Sequence, residues 1–204
     1  MTHPASRPVS TTPESPARLR TARFVRSVVL VLSGFAIAFS APLHSQLSFD
    51  RWILAGSLAL IGAATVFEYR VLREAASSWL IALRAAVAFA AAVAGLLVAD
   101  AAWLAVVLAV WAAANAAIAV ARLVRGSQSR AVAVPSAVFS AALAALLLIF
   151  RDDPVAVIGF FGAYAIARGV FLGISAFDGQ RSEVAEGQRP PLNGPTTAVR
   201  IESN

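Results

Sequence analysis

Residues 80–121 read LIALRAAVAFAAAVAGLLVADAAWLAVVLAVWAAANAAIAVA, 42 residues interrupted by two charges, Arg84 and Asp100. As one helix this run would be ~63 Å long, about twice the ~30 Å hydrocarbon core of a bilayer. It must therefore fold back. Asp100 is the expected break, because its charge belongs at an interface, and the run becomes two spans, 78–99 and 102–122.

Four more apolar segments flank this pair, at 24–43, 51–72, 131–150 and 155–177. Hydrophobic residues make up 59% of the 204-residue chain and charged residues 14%, against ~25% charged in an ordinary soluble domain. The expected fold is an all-α integral membrane protein with six transmembrane helices arranged as three tandem helical hairpins. The transmembrane domain covers 22–178. The tails at 1–21 and 179–204 are rich in Pro, Ser, Thr and Arg, too polar to build a core, and are expected to be disordered. The stretch VVLVLSGFAIAFSA (28–41) also has the look of a signal-peptide core followed by small residues. A retained helix is the preferred reading, because the leader before it is long and cleavage would leave five spans.

Every basic residue is arginine, and the net charge is +6. The arginines cluster by position. Arg7, Arg18, Arg20, Arg23 and Arg26 precede or open the first span; Arg70, Arg73 and Arg84 flank the second junction; Arg122, Arg125 and Arg130 the fourth; Arg181, Arg189 and Arg200 follow the last. Arg51 and Arg151 lie at the opposite junctions, together with Asp50, Asp100, Asp152 and Asp153. This asymmetry predicts cytoplasmic termini by the positive-inside rule. It also explains the basic charge without nucleic acid, so no nucleic-acid partner is expected. The expected partner is the lipid bilayer, with a second copy of the chain or other membrane proteins as protein partners. Alanine-rich, lysine-free usage points to a GC-rich bacterial genome, and hence to a multi-pass protein of the bacterial cytoplasmic (inner) membrane.

The acidic turns recur about every 50 residues, and the even-numbered spans align. AVWAAANAAIAVARLVR (109–125) lies over GAYAIARGVFLGISAFD (162–178) with a shift of 53, matching Trp111 to Tyr164 and Asn115 to Arg168. ALIGAATVFEYRVLR (59–73) aligns less sharply. Three parallel repeats of this kind are compatible with a pseudo-threefold axis along the membrane normal. Small residues at every fourth position, Ala165, Gly169 and Gly173 in the sixth span and Ala86, Ala90 and Ala94 in the third, are the expected helix contacts.

The absence of cysteine excludes disulfides, thiolate metal sites and cysteine nucleophiles. His3 and His44 cannot by themselves build a histidine metal site. There is no phosphate loop, no catalytic triad and no pair of intramembrane carboxylates, so no enzyme and no cofactor are expected. Four polar residues remain as candidates. Arg168 stands deep in the last span, where an arginine costs about 2.5–3.5 kcal/mol on insertion scales. It either faces the bundle interior and contacts an anion, or snorkels to the cytoplasmic interface beside Tyr164 and Phe171. Asn115, at similar depth in the fourth span, is expected to hydrogen-bond a neighbouring helix. Glu68 could neutralise Arg168, but the repeat register sets their faces roughly 120–140° apart, so Arg70, Arg73 or solvent are its expected partners. His44, in the outer loop APLHSQLSFD (41–50), is expected to be exposed, with an external pH-sensing role as the alternative.

Six short spans, acidic outer turns and the phrases GAYAIARGVFLGISAF and AVWAAANAAIAVARLVRG resemble the HdeD family over about residues 22–178. That resemblance implies a small bacterial inner-membrane protein associated with acid or envelope stress tolerance, without a defined molecular mechanism. The alternative is a small-solute or anion transporter or channel subunit using Arg168 and Asn115.

Overall fold

The computed structural model describes residues 16–44, 46–72 and 78–187, with side chains described over 20–44, 46–72 and 78–176. Residues 1–15, 45, 73–77 and 188–204, with Arg7, Arg73, Arg189 and Arg200, lie outside the described residues. The described residues form six α-helices: α1 (Pro16–Phe39), α2 (Leu47–Val71), α3 (Ser78–Leu97), α4 (Ala101–Val124), α5 (Arg130–Ile149) and α6 (Pro154–Gly187). A short 3₁₀ turn, Ala41–Leu43, joins α1 to α2. Each of the six contains a stretch long and apolar enough to cross a bilayer, and no strand occurs among the described residues.

The breaks follow local chemistry. The long run divides where expected: α3 ends at Leu97 and Asp100 caps α4, its carboxylate accepting from Trp103 N at 2.9 Å. Asp153 does the same before α6, accepting from Val155 N at 3.1 Å and Ala156 N at 3.0 Å, with Pro154 at the first helical position. Side-chain oxygens satisfy backbone N–H groups that have no partner within the first turn, and proline there has no N–H to lose. At the other end, α4 stops at Gly126, whose φ is +66°. Gly126 N donates to Leu123 O and Ser127 N reaches back to Arg122 O, each at 3.0 Å. This pair of bonds closes the last turn and needs a residue that tolerates positive φ.

Both outer helices run beyond the expected domain limits of 22 and 178. α1 already begins at Pro16, and α6 continues to Gly187. The segments concerned, PARLRT (16–21) and GQRSEVAEG (179–187), contain good helix formers and no internal proline. A helix does not need to stop where the apolar zone does.

The helices close into a ring in which each packs on its two neighbours and α6 returns to α1. The most extensive interfaces are α1 on α6, α4 on α5 and α2 on α3, and the successive pairs α1–α2, α3–α4 and α5–α6 touch less. The tight seams therefore run between the expected hairpins rather than inside them. On α6 the small-residue stripe behaves as expected: Ala165 is fully buried, while Gly169 and Gly173 abut Ser27 and Val31 of α1. On α3 it does not. Ala86 and Ala90 are exposed and Ala94 half-buried, and the buried small residues are Ala85, Ala88, Ala91, Ala92 and Gly95. Alanine covers every face of α3, so its spacing carries no directional signal.

The outside of the ring is apolar on every helix, with Leu32, Leu60, Val93, Val110, Val138 and Ile174 exposed. Trp52 and Trp103 are exposed near the aspartate-rich end, and Trp79 near the arginine-rich end, with the Arg125 guanidinium 4.7 Å from its ring centroid. Such a belt matches lipid tails bounded by interfacial aromatics. The packed core lies in the half nearer the aspartate-rich end and includes Leu30, Leu54, Leu58, Leu108, Leu147 and Phe161.

Candidate functional site

The arginine-rich half of the ring is polar inside. Arg26 of α1, Arg84 of α3, Arg122 of α4 and Arg168 of α6 are all at least nine-tenths buried. They line one chamber of about 240 Å³, together with Glu68 of α2 and Ser136 of α5, so every helix contributes to the wall. Ser127, Gln128 and Ser129 of the α4–α5 turn also line it, and the Gly126 cap, with Ser127 Oγ donating to Arg122 O at 3.0 Å, fixes their approach. Arg23, exposed on the first turns of α1, stands at the mouth.

Arg168 does not snorkel. It is 1% exposed and faces the bundle interior. Its Nη1 donates to Ser140 Oγ at 2.6 Å, to Ser136 O at 3.5 Å and to the Tyr164 hydroxyl. Its guanidinium carbon lies 5.5 Å from the Tyr164 ring centroid, close enough for a cation–π contact. Ser140 and Tyr164 are themselves in contact at 3.1 Å. Below this group, Tyr164 meets the buried Trp111 edge-on at 5.9 Å, and Trp111 meets Phe161 at 5.6 Å. This aromatic layer is where the polar chamber gives way to the apolar core.

Asn115 bridges helices, as expected of it. Its Oδ1 accepts from Arg84 Nε of α3 at 2.7 Å, and its Nδ2 donates to Trp111 O at 2.9 Å. Glu68 finds a partner the sequence reading did not name. It accepts from Arg26 Nη1 at 2.8 Å in a buried ion pair, while Arg70 is exposed. The ring brings α1 onto α2 at this depth, so the partner guanidinium comes from the neighbouring helix and not from the same one.

Three of the four buried arginines were read from sequence as markers of topology. The signal that could have separated them is depth. Arg26 and Arg84 lie within apolar segments, whereas Arg70 and Arg125 lie at helix ends. Glu68 and Arg122 also occupy nearly the register that relates Asn115 to Arg168, and Ser175, the next position in that series, lines the chamber too.

The electrostatics are unbalanced. Glu68 is the one carboxylate in the wall among the described residues, against four buried guanidiniums. Several of their nitrogens have no hydrogen-bond partner: Nε of Arg26, Nε of Arg122, and both Nε and Nη2 of Arg168. Buried charge is expensive unless paired, so this arrangement is suited to holding a negatively charged group.

The second candidate lies at the other end. His44 is buried, not exposed, and so is Asp50. His44 Nδ1 is 2.6 Å from Asp50 Oδ1, and Nε2 is 3.0 Å from Ile37 O. Both neighbours are acceptors, and a ring protonated on both nitrogens donates to each. The short 3₁₀ turn folds the histidine back under the loop, tying the end of α1 to the start of α2. His44 and the Arg168 chamber are at opposite ends of the bundle and form no common site.

No family model, curated protein or solved structure matches this chain.

Proposed function

We propose that this chain is a multi-pass membrane protein that binds a small anion in the arginine chamber, from the cytoplasmic side, on which the excess of arginine places both termini. The observation that carries this is the meeting, among the described residues, of four buried guanidiniums and a single carboxylate around one cavity. The apolar core and the Trp111–Tyr164–Phe161 layer close the chamber toward the other leaflet, which favours binding over an open pore. The test is thermal unfolding of the purified protein in detergent with a panel of anions at constant ionic strength. An anion at about 100 times its Kd adds about 2.7 kcal/mol, which is roughly 5–10 °C for a chain of this size. Arg168→Ala is expected to abolish that rise. A wild-type protein indifferent to every anion would count against the proposal.

A second reading is a contribution to acid tolerance, as the resemblance to HdeD proteins implies. The observation in its favour is the buried His44–Asp50 pair at the aspartate-rich end. A deletion strain is then expected to survive acid exposure less well, with His44→Asn failing to restore survival. Equal survival of deletion and parent strains removes this reading.

A further inference from the structure

We infer that the anion taken by the chamber is a phosphate-type oxyanion, either free inorganic phosphate or the phosphate of a small monoester or lipid headgroup. This rests on the anion-binding function proposed above and narrows it to one chemical class.

Charge comes first. Among the described residues, four buried guanidiniums against Glu68 leave three positive charges in excess. A chloride or carboxylate would neutralise one of them; a phosphate dianion neutralises two. In a low-dielectric setting each uncompensated charge is destabilising, so the doubly charged ligand is favoured.

Geometry comes second. The guanidiniums enter from α1, α3, α4 and α6, on different sides of the ring. The nitrogens without partners are likewise shared among three helices, α1, α4 and α6. A planar carboxylate offers two oxygens in one plane. A tetrahedral group offers oxygens in several directions and can meet forks that approach from different walls. Arginine is also the side chain best shaped to grip phosphate with paired N–H donors. Ser129, in the turn at the mouth, adds a hydroxyl donor, that of Ser127 being already given to Arg122 O.

Size comes third. The chamber, about 240 Å³, is smaller than the ~300–1,000 Å³ typical of pockets for organic ligands. It suits a phosphate group, any organic part of a monoester or lipid staying outside, and is too small to enclose a whole nucleotide.

The test is isothermal titration of the detergent-purified full chain with four probes at matched ionic strength: sodium phosphate, sodium acetate, sodium chloride and dihexanoyl phosphatidic acid. Dihexanoyl phosphatidylcholine serves as the lipid control. Phosphate, phosphatidic acid or both are expected to bind at least about tenfold more tightly than acetate and chloride. Inorganic phosphate binding on its own identifies a soluble source. Phosphatidic acid binding without inorganic phosphate, and with no response to phosphatidylcholine, identifies a lipid headgroup. Acetate or chloride binding as tightly as phosphate overturns the phosphate assignment and leaves the anion chamber standing. No response to any anion overturns both.

Arg122→Gln is expected to weaken phosphate binding about tenfold. Should that variant fail to fold, Arg23→Gln at the exposed mouth is expected to weaken it about threefold, with an unchanged circular dichroism spectrum. Phosphate affinity unchanged in Arg122→Gln, or in Arg23→Gln where the former does not fold, places the site elsewhere and overturns the assignment.

Discussion

Glu68→Ala is expected to lower folding stability by about 3–5 kcal/mol, the range for breaking a buried ion pair by removing one partner. Glu68 and Arg26 meet at 2.8 Å, and both side chains are more than nine-tenths buried. The pair itself need not be strongly stabilising, since both charges lost water to form it. What the substitution does is leave Arg26 without its carboxylate in a chamber that already holds Arg84, Arg122 and Arg168. The double change Arg26→Met with Glu68→Leu removes both charges and is expected to recover most of the loss. Glu68→Gln, which retains an acceptor for Arg26 but no charge, is expected to fall between. Reversible unfolding in mixed micelles measures all three. A Glu68→Ala protein within about 0.5 kcal/mol of wild type, the usual range for surface changes, would show that this carboxylate is not holding the chamber. The same variant links stability to the ligand. Having lost its internal anion, it is expected to gain more from added phosphate than the wild type does.

The second large effect lies in the seam between α1 and α6. A Cβ added at Gly34 would sit 2.5 Å from Ile166 Cγ1, 2.7 Å from Gly162 O and 3.0 Å from Ile166 N. One added at Gly169 would sit 2.7 Å from Val31 Cγ2, 2.9 Å from Ser27 O and 3.0 Å from Val31 N. Side chains can rotate away, but the backbone atoms among these neighbours cannot. The two helices would have to separate, and Ser27 Oγ, which donates to Gly169 O at 2.6 Å, would lose its partner. Gly34→Ala and Gly169→Ala are each expected to destabilise by about 1–3 kcal/mol, the usual penalty for overpacking. Gly56 and Gly159 provide the control. A Cβ at either meets nothing within 4 Å, so alanine there is expected to be neutral or to add up to about 1 kcal/mol through helix propensity. Thermal unfolding of the four variants side by side separates the cases. The four behaving alike would contradict the close approach of α1 and α6. The seam also sets the distance between Arg26 and Arg168, so Gly169→Ala is expected to blunt the response to anions as well.

The glycine stripe of α6 was readable in advance because glycine is rare enough in this chain for its spacing to carry information. Alanine is not, and the same spacing in α3 pointed to a face that turned out to be exposed. Arg168 illustrates a different limit. Its depth in an apolar span was visible, but snorkelling and burial differ only in which way the side chain turns. That choice depends on Ser136 and Ser140 of α5, more than 20 residues away. His44 likewise looked like a loop residue until the 3₁₀ turn carried it under Asp50.

The amino-acid sequence alone determined the number of spans, where the chain turns back and which end of the bundle collects arginine. These are local matters of hydropathy, of capping by Asp100 and Asp153, and of charge excluded from lipid. The tertiary structure alone decided that the tight seams fall between hairpins, that Glu68 pairs with Arg26, and that four arginines from four helices share one chamber. Such pairings depend on how the ring closes, with α6 returning to α1. Ring closure is a long-range packing result, and helical periodicity within any one segment does not encode it.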